Sequence, residues 1–329
     1  MTRVARFHKH GGPEVLVIEE IEAAAPGSGE VQIRVKALGL NRAEVFMREG
    51  RYLENPALPS GLGLEASGTV AALGEGVTGL EIGDAVSIIP PISMAQWPAY
   101  GELATFPARL VVKHPPMLDW ETAAATWMAY VTAYGALVEV AGVGKGDVVA
   151  ITAASSSVGI AAIQIVRMLG ATPVAITRTS AKRQALLETG AAEVIVSEEE
   201  DIAARLGAIT DGKGVRVVFD AVGGPAFVPL TAAMAAGGML IEYGGLSREP
   251  TPFPLASVMT KSLTLRGYVI HEIVREDARL ERAKAFVVDG LERGLLQPVI
   301  DRVFAFDDIV AAHRHLESNQ QFGKIVVMV

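Results

Sequence analysis

The residues best suited to chemistry form a turn of small side chains at residues 154–159, which read Ala-Ser-Ser-Ser-Val-Gly. A short run rich in Val and Ile precedes this turn, and an Ala- and Ile-rich segment that ends at Gly170 follows it. The pattern predicts a strand, a tight turn and a helix. Small residues let the backbone approach a bound group, and a helix N-terminus offers unpaired N–H donors with a partial positive charge. A pyrophosphate is the usual occupant of such a turn.

The turn is a reduced form of the dinucleotide-binding pattern Gly-x-Gly-x-x-Gly, of which only the last glycine, Gly159, is present. We expect Ser155, Ser156, Ser157 and Val158 to bind the pyrophosphate. The serines should then adopt φ angles that a side chain tolerates, since serine takes positive φ less readily than glycine. A plain strand-to-helix connection is the alternative.

Polar and basic side chains lie about twenty positions after Gly159. In dinucleotide-binding folds, the residue that binds the ribose of the cofactor stands at this position. An acidic residue there would bind the 2′-hydroxyl of NAD. This chain instead has Arg178 and Lys182, which would neutralise the 2′-phosphate of NADP, with Thr177, Thr179 or Ser180 as neutral donors. The alternative is that Ser180 caps the next helix and the basic side chains are only solvated.

Two kinds of segment must position these residues. The first third consists of short β-prone runs separated by Gly, Pro and Asn, which predicts a compact β-rich domain. From about residue 121, strands alternate with helices, which predicts right-handed crossovers and a doubly wound parallel sheet. The predicted fold class is therefore α/β. We place a Rossmann dinucleotide-binding domain at residues 125–268 and a β-rich catalytic domain at residues 1–124 and 269–329.

The amino-acid composition excludes several classes of partner and of catalytic site. Half of the 329 residues are hydrophobic and 20% are charged, with a net charge of −8, which disfavours nucleic acid or an anionic membrane surface as partner. The chain has no cysteine, which excludes disulfides, a thiol nucleophile and Cys-ligated zinc. The first residues lack the apolar segment of a signal peptide, and no apolar run approaches the ~20 residues that span a bilayer. We expect a cytoplasmic protein.

Several motifs together resemble the zinc-independent quinone oxidoreductase branch of the medium-chain dehydrogenase/reductase superfamily. One of them is Gly-Leu-Asn-Arg-Ala-Glu at residues 39–44, and the resemblance covers essentially the whole chain. Further matches lie at residues 58–68, 83–86, 126–137, 243–245 and 317–326. The resemblance implies a Rossmann domain beside a GroES-like catalytic domain, with NADPH as the cofactor.

The same comparison predicts that no metal is bound. Zinc-dependent relatives place a cysteine near Asn41 and Gly-His-Glu where this chain reads Gly-Leu-Glu at residues 63–65. The leucine of that segment, Leu64, cannot ligate a metal. His313 and His315 share a predicted helix two positions apart and so point to different faces, which favours surface or structural roles.

Without a metal, the plausible acceptor is one already activated, such as a quinone or the β-carbon of an enone. The developing negative charge on its oxygen needs a hydrogen-bond donor. The resemblance implies Asn41 and Tyr52 as donors, oriented by Glu44. The alternatives are a turn residue for Asn41 and a packed loop aromatic for Tyr52. The resemblance also implies cofactor contacts from Thr132, Gly244, Gly245, Asn319 and Lys324.

Two functions of different kinds follow. The first is an NADPH-dependent reductase of quinones or α,β-unsaturated carbonyls, with a small apolar acceptor suggested by the stiff loop at residues 90–100. The alternative is an NADPH-binding protein with little turnover, in a crystallin-like or sensor role. The resemblance implies a homodimer in which the last strand of the nucleotide-binding sheet pairs with its twofold mate. The apolar, β-branched segment at residues 263–270 suits such an edge, and the alternative is that a loop or helix covers it.

Overall fold

The computed structural model describes residues 1–329, which divide into two compact units. Unit 1 comprises Met1–Met128 and Pro298–Val329, and unit 2 comprises Ala129–Gln297. The first boundary between the units, between Met128 and Ala129, lies within a few residues of the predicted one. The second differs, because residues 269–297 belong to unit 2 and not, as predicted, to the β-rich domain.

The structure contains sixteen strands and eleven α-helices. The strands are β1 Thr2–Phe7, β2 Leu16–Ile21, β3 Glu30–Gly39, β4 Ser60–Gly61, β5 Glu65–Leu73, β6 Ala85–Ile88, β7 Leu103–Pro107, β8 Val111–Lys113, β9 Val148–Ile151, β10 Thr172–Thr177, β11 Glu193–Val196, β12 Val215–Asp220, β13 Met234–Glu242, β14 Thr264–Gly267, β15 Ile300–Ala305 and β16 Lys324–Met328. The helices are α1 Arg42–Arg48, α2 Trp120–Ala124, α3 Trp127–Tyr134, α4 Ser157–Met168, α5 Arg183–Glu188, α6 Ile202–Ile209, α7 Phe227–Ala232, α8 Leu255–Lys261, α9 His271–Val274, α10 Asp277–Glu292 and α11 Ile309–Glu317.

Unit 1 is the β-rich part of the chain, as predicted. A seven-stranded sheet has the order β15-β16-β3-β5-β6-β8, with β7 paired to β3, and a three-stranded sheet has the order β2-β1-β4. Alternating apolar residues of these strands form one core that includes Phe7, Ile33, Val70 and Phe106. The central strand β3 ends at Gly39, two residues before Asn41, so the sheet fixes the position of the Asn41–Glu44 motif.

Unit 2 is built on a six-stranded sheet with the order β11-β10-β9-β12-β13-β14, and every pair in it is parallel. This confirms the predicted doubly wound sheet. The strand order reverses between β9 and β12, and ligands of such folds bind at the carboxyl ends of the strands at that switch point. β14, which lies in the segment predicted to pair in a dimer, is the outermost strand.

Contacts of α10 explain why residues 269–297 belong to unit 2. The ring of Phe286 lies 4.9 Å from that of Tyr134, measured between centroids. Arg282 donates to both carboxylate oxygens of Glu139, at 2.8 and 3.0 Å. The amphipathic pattern of α10 predicts that the helix packs, but it does not say against which unit. None of the helices is long and apolar enough to cross a membrane.

Candidate functional site

The turn of small residues follows β9 and leads into α4, as predicted. Ser156 is the N-cap residue of α4, and its hydroxyl accepts the N–H of Gly159 at 3.1 Å. The residue with positive φ in the turn is Ala153, at 44°, and none of the three serines adopts such an angle. The serine-rich sequence is therefore compatible with the turn because the left-handed position lies before the serines.

Gly159 is the one glycine of the pattern that the geometry demands. A Cβ atom there would lie 2.6 Å from the carbonyl oxygen of Ala154 and 2.7 Å from that of Ala153. These distances are shorter than packing allows, so any side chain would push α4 away from the turn. The close approach of helix and turn thus depends on Gly159 alone.

A basic side chain reaches this turn from the end of β10. The ammonium of Lys182 donates to the hydroxyl of Ser155 at 3.2 Å. Thr177, the last residue of β10, is buried, whereas Arg178 is exposed. Ser180 lies inside a short 3-10 helix, and its hydroxyl donates to Glu199 at 2.9 Å, so it does not serve as the helix cap considered above.

These features together fit an anionic dinucleotide. A helix N-terminus, serine hydroxyls and an ammonium group converge on one turn, and each of them binds phosphate oxygens well. The glycine-dependent closeness of α4 to the turn is the cradle that a pyrophosphate requires. Thr132 on α3 and the Gly244–Gly245 turn after β13 belong to the same unit.

Sequence reasoning missed a row of polar residues beside this turn. Thr152, Asp220 and Glu242 stand on neighbouring strands or directly after them, with Asp220 in register with Glu242. Thr152 donates its hydroxyl hydrogen to Asp220, and burial together with the nearby Asp220 charge raises the pKa of Glu242 to about 9. The sequence did contain a signal for this row, because an acidic residue lies at the carboxyl end of each of two successive predicted strands.

In unit 1, Asn41 is the N-cap residue of α1, and its polar atoms are engaged within the protein. Its backbone N–H donates to Glu44 at 2.8 Å, and its side-chain amide donates to Gly39 at 3.1 Å and to Glu44 at 3.3 Å. Its amide oxygen accepts the ammonium of Lys324 at 2.7 Å. The structure therefore brings Asn41, Glu44 and Lys324 together, as a rigid buried cluster.

Glu44 is the centre of that cluster. It is fully buried and also accepts the hydroxyl of Tyr100 at 2.5 Å and the N–H of Leu64 at 3.0 Å. Burial raises the pKa of Glu44 to about 7, although these donors oppose the shift. The Tyr100 hydroxyl in turn lies 3.1 Å from Nε2 of His313, and burial lowers the pKa of His313 to about 3. His313 thus has a structural role, one of the two predicted for it.

Lys324 is buried beneath Asn41, a position that its predicted cofactor contact does not explain. Its ammonium pairs with the carboxylate of Glu65, and both side chains are only 1% exposed. The second oxygen of Glu65 accepts the backbone N–H of Met128 at 2.6 Å. Gly39 makes room for this pair, because a Cβ there would collide with the Glu65 carboxylate.

Tyr52 and Asn319 differ in whether their side chains make hydrogen bonds within the protein. Tyr52 is half-buried, and its hydroxyl makes no hydrogen bond within the protein. Burial raises the pKa of Tyr52 to about 12, so the phenol keeps its proton at neutral pH. The side-chain oxygen of Asn319, by contrast, accepts the guanidinium of Arg42 at 2.6 Å.

Comparisons with known proteins cover both units. The alcohol dehydrogenase GroES-like domain matches residues 27–116, and the family model described as zinc-binding dehydrogenase matches residues 157–285. Quinone oxidoreductase 1 of Escherichia coli is 32% identical over 335 residues, which cover 99% of each chain. The 2-haloacrylate reductase of a Burkholderia species is 28% identical over 337 residues, covering 100% of this chain and 99% of the relative. The crystal structure of E. coli quinone oxidoreductase with NADPH has a TM-score of 0.91 at 30% identity and covers 99% of this chain and 100% of that one.

Proposed function

We propose that this chain, which belongs to the quinone oxidoreductase branch of the medium-chain dehydrogenase/reductase superfamily, is an oxidoreductase that uses NADPH to reduce quinones and α,β-unsaturated carbonyls without zinc. The observation that carries the proposal is the contact of Lys182 with Ser155 in the turn before α4. It sets a cation beside a helix N-terminus, where an anionic dinucleotide would bind. A binding protein without turnover is not favoured, since the relatives are named as oxidoreductases.

The residues that would hold the cofactor lie in unit 2. Hydroxyls and N–H groups of the turn at residues 155–158 would bind the pyrophosphate. Arg178 and Lys182 would neutralise a 2′-phosphate, which favours NADPH over NADH. We assign Thr132, Gly244 and Gly245 to the nicotinamide end, as the resemblance implies.

When bound, NADPH supplies a hydride for an acceptor that is already electron-poor. The protein must then donate a hydrogen bond to the oxygen that becomes negative. Tyr52 suits this role, because its hydroxyl has no partner within the protein and keeps its proton. We infer that Asn41, whose amide hydrogens are both engaged, positions its neighbours, and that Glu44 and Lys324 fix its orientation.

A reaction without zinc is supported by the side chains where relatives bind the metal. The resemblance implies that Leu64 stands where zinc-dependent relatives have a histidine ligand, and Leu64 packs in the core of unit 1. The chain has no cysteine, and no three His, Asp or Glu side chains form a cluster that could hold an ion. Elemental analysis of the purified protein tests this directly.

The acceptor class rests on the relatives. One is named for quinones and another for 2-haloacrylate, which carries an activated C=C bond. We therefore propose small apolar quinones and enones as substrates. The homodimer and the cytoplasmic location remain predictions of the sequence.

Cofactor titration tests the proposal. We expect NADPH to bind more tightly than NADH and Arg178→Ala to weaken NADPH binding about tenfold to a hundredfold, since a charge-assisted contact contributes ~1.5–3 kcal/mol. Arg275→Ala, an exposed arginine of the same unit, is the matched control and should bind NADPH normally. Equal affinity for both cofactors, or unchanged binding in Arg178→Ala, would refute NADPH specificity. NADPH oxidation with a panel of quinones and enones then identifies the acceptor.

A further inference from the structure

Three polar residues form one row across the carboxyl edge of the sheet in unit 2. Phe219 is in register with Ile151, which makes Asp220 and Thr152 neighbours, and Asp220 is itself in register with Glu242. Side chains in register on adjacent parallel strands share a face of the sheet. Thr152 begins the turn predicted to bind the pyrophosphate, and Glu242 directly precedes the Tyr243–Gly245 segment. The row therefore joins the two turns assigned to the cofactor.

Hydrogen bonds along the row leave only one arrangement for the two acids. Asp220 is fully buried and accepts the hydroxyl of Thr152, the N–H of Val222 at 2.9 Å and the N–H of Gly223 at 3.1 Å. Glu242 is in register with Asp220 on the next strand, and a carboxylate cannot donate to another carboxylate. A hydrogen bond between the two acids therefore requires a proton on Glu242.

Other groups around Glu242 support the protonated form. Neither of its oxygens is exposed to solvent. No donor group of the protein reaches either oxygen. Burial is the main cause that raises the pKa of Glu242 to about 9, followed by the charge of Asp220. The other titratable neighbour is Tyr243, whose ring stacks on Phe219, and burial raises the pKa of Tyr243 as well. None of these groups is a cation.

We propose that Glu242 is a positioning residue whose proton joins the Gly244–Gly245 turn, through Asp220 and Thr152, to the pyrophosphate turn, so that the dinucleotide binds only to the protonated form. The inference rests on the proposed function. Loss of the proton breaks the link and adds a second negative charge beside a site for an anion. NADPH affinity therefore falls as Glu242 ionises.

Glu242→Gln separates this role from a merely structural one. A glutamine can donate an amide hydrogen to Asp220, as a protonated Glu242 would, but it does not titrate. Glu188→Gln, an exposed glutamate in the same unit, is the matched control for the change of charge. Both variants should bind NADPH like the wild type at pH 7.

The decisive readout is the dissociation constant for NADPH, measured by fluorescence between pH 7 and 10. For the wild type we expect Kd to rise about tenfold from pH 8 to pH 10 relative to Glu242→Gln, because binding is linked to one proton. Taking the ratio of the two proteins cancels any pH dependence that they share. Calorimetry in buffers of different ionisation enthalpy should show the wild type taking up roughly three-quarters of a proton on binding at pH 9.5, and Glu242→Gln taking up none.

Each outcome decides the inference. A constant Kd ratio up to pH 10, or no proton uptake by the wild type, overturns it. Failure of the wild type to bind NADPH at any pH refutes the proposed function instead. The protonated link is then tested by stability: the unfolding equilibrium constant of the wild type should rise severalfold per pH unit relative to Glu242→Gln between pH 6 and 8. A constant difference in stability over that range overturns the inference on its own.

Discussion

The buried pair of Lys324 and Glu65 allows a test that distinguishes a structural role from a cofactor contact. Lys324→Met keeps much of the side-chain volume but removes the ammonium. The Glu65 carboxylate, 1% exposed, would then retain only the Met128 N–H and would be a buried, unpaired charge. Asn41 would lose the donor to its amide oxygen at the same time.

We expect Lys324→Met to lower the free energy of unfolding by a large amount. Removing one partner of a buried ion pair costs about 3–5 kcal/mol, against a total stability of roughly 5–15 kcal/mol for a folded domain. Adding Glu65→Gln to Lys324→Met removes the orphan charge and should recover most of the loss. The matched control is Lys113→Met, whose partner is Asp84 in the same unit. Its ammonium side chain is 52% exposed, and its loss should cost less than about 1 kcal/mol.

Urea unfolding followed by tryptophan fluorescence measures these costs in the relevant unit, because all three tryptophans, Trp97, Trp120 and Trp127, lie in unit 1. NADPH affinity is measured on the same samples. The reasoning predicts a large loss of stability in Lys324→Met with affinity changed only a few-fold. An unchanged unfolding curve combined with much weaker NADPH binding would refute it and favour the cofactor contact predicted from the sequence.

Two further predictions concern unit 1. Tyr52→Phe removes only the free hydroxyl and should lower kcat with a quinone by about 10²-fold or less, with unchanged NADPH affinity; a full-rate variant would exclude Tyr52 as the donor. His313 stays neutral when folded, because burial lowers its pKa from 6.5 to about 3, so its contribution to stability is complete above pH 6.5 and is lost as pH falls towards 3. The loss amounts to about 4–5 kcal/mol in total. Urea unfolding between pH 4 and 7 should therefore show a smaller acid loss in His313→Gln, and equal acid losses would refute this account.

Local chemistry explains which parts of the molecule could be predicted from the sequence. The strand, turn and helix around Ser156 are encoded within about twenty neighbouring residues, and the alternation of strands and helices after it requires a parallel sheet. The position of α10 could not be predicted in the same way. Its place in unit 2 depends on Glu139 and Tyr134, far away in the chain, and an amphipathic helix does not identify its partner.

Lys324 shows the same limit at the site itself. A lysine at the first position of an apolar strand looks like a solvated end, and its partner Glu65 lies in a strand from the opposite end of the chain. Only the sheet order, which sets β16 and β5 on either side of β3, brings the two side chains together. The resemblance could identify Lys324 as a candidate site residue, but only the structure shows that its ammonium pairs with a carboxylate inside the protein.

Each unit contains a buried carboxylate, and the two units balance its charge in different ways. In unit 1 the Glu65 carboxylate faces the ammonium of Lys324. In unit 2 the carboxylate of Asp220 faces a second acid, and a proton on Glu242 takes the place of the cation. A buried charge next to an anion-binding turn repels the ligand less when its partner is neutral than when the partner is a second anion. The dinucleotide turn should therefore bind NADPH more weakly as pH rises through about 9.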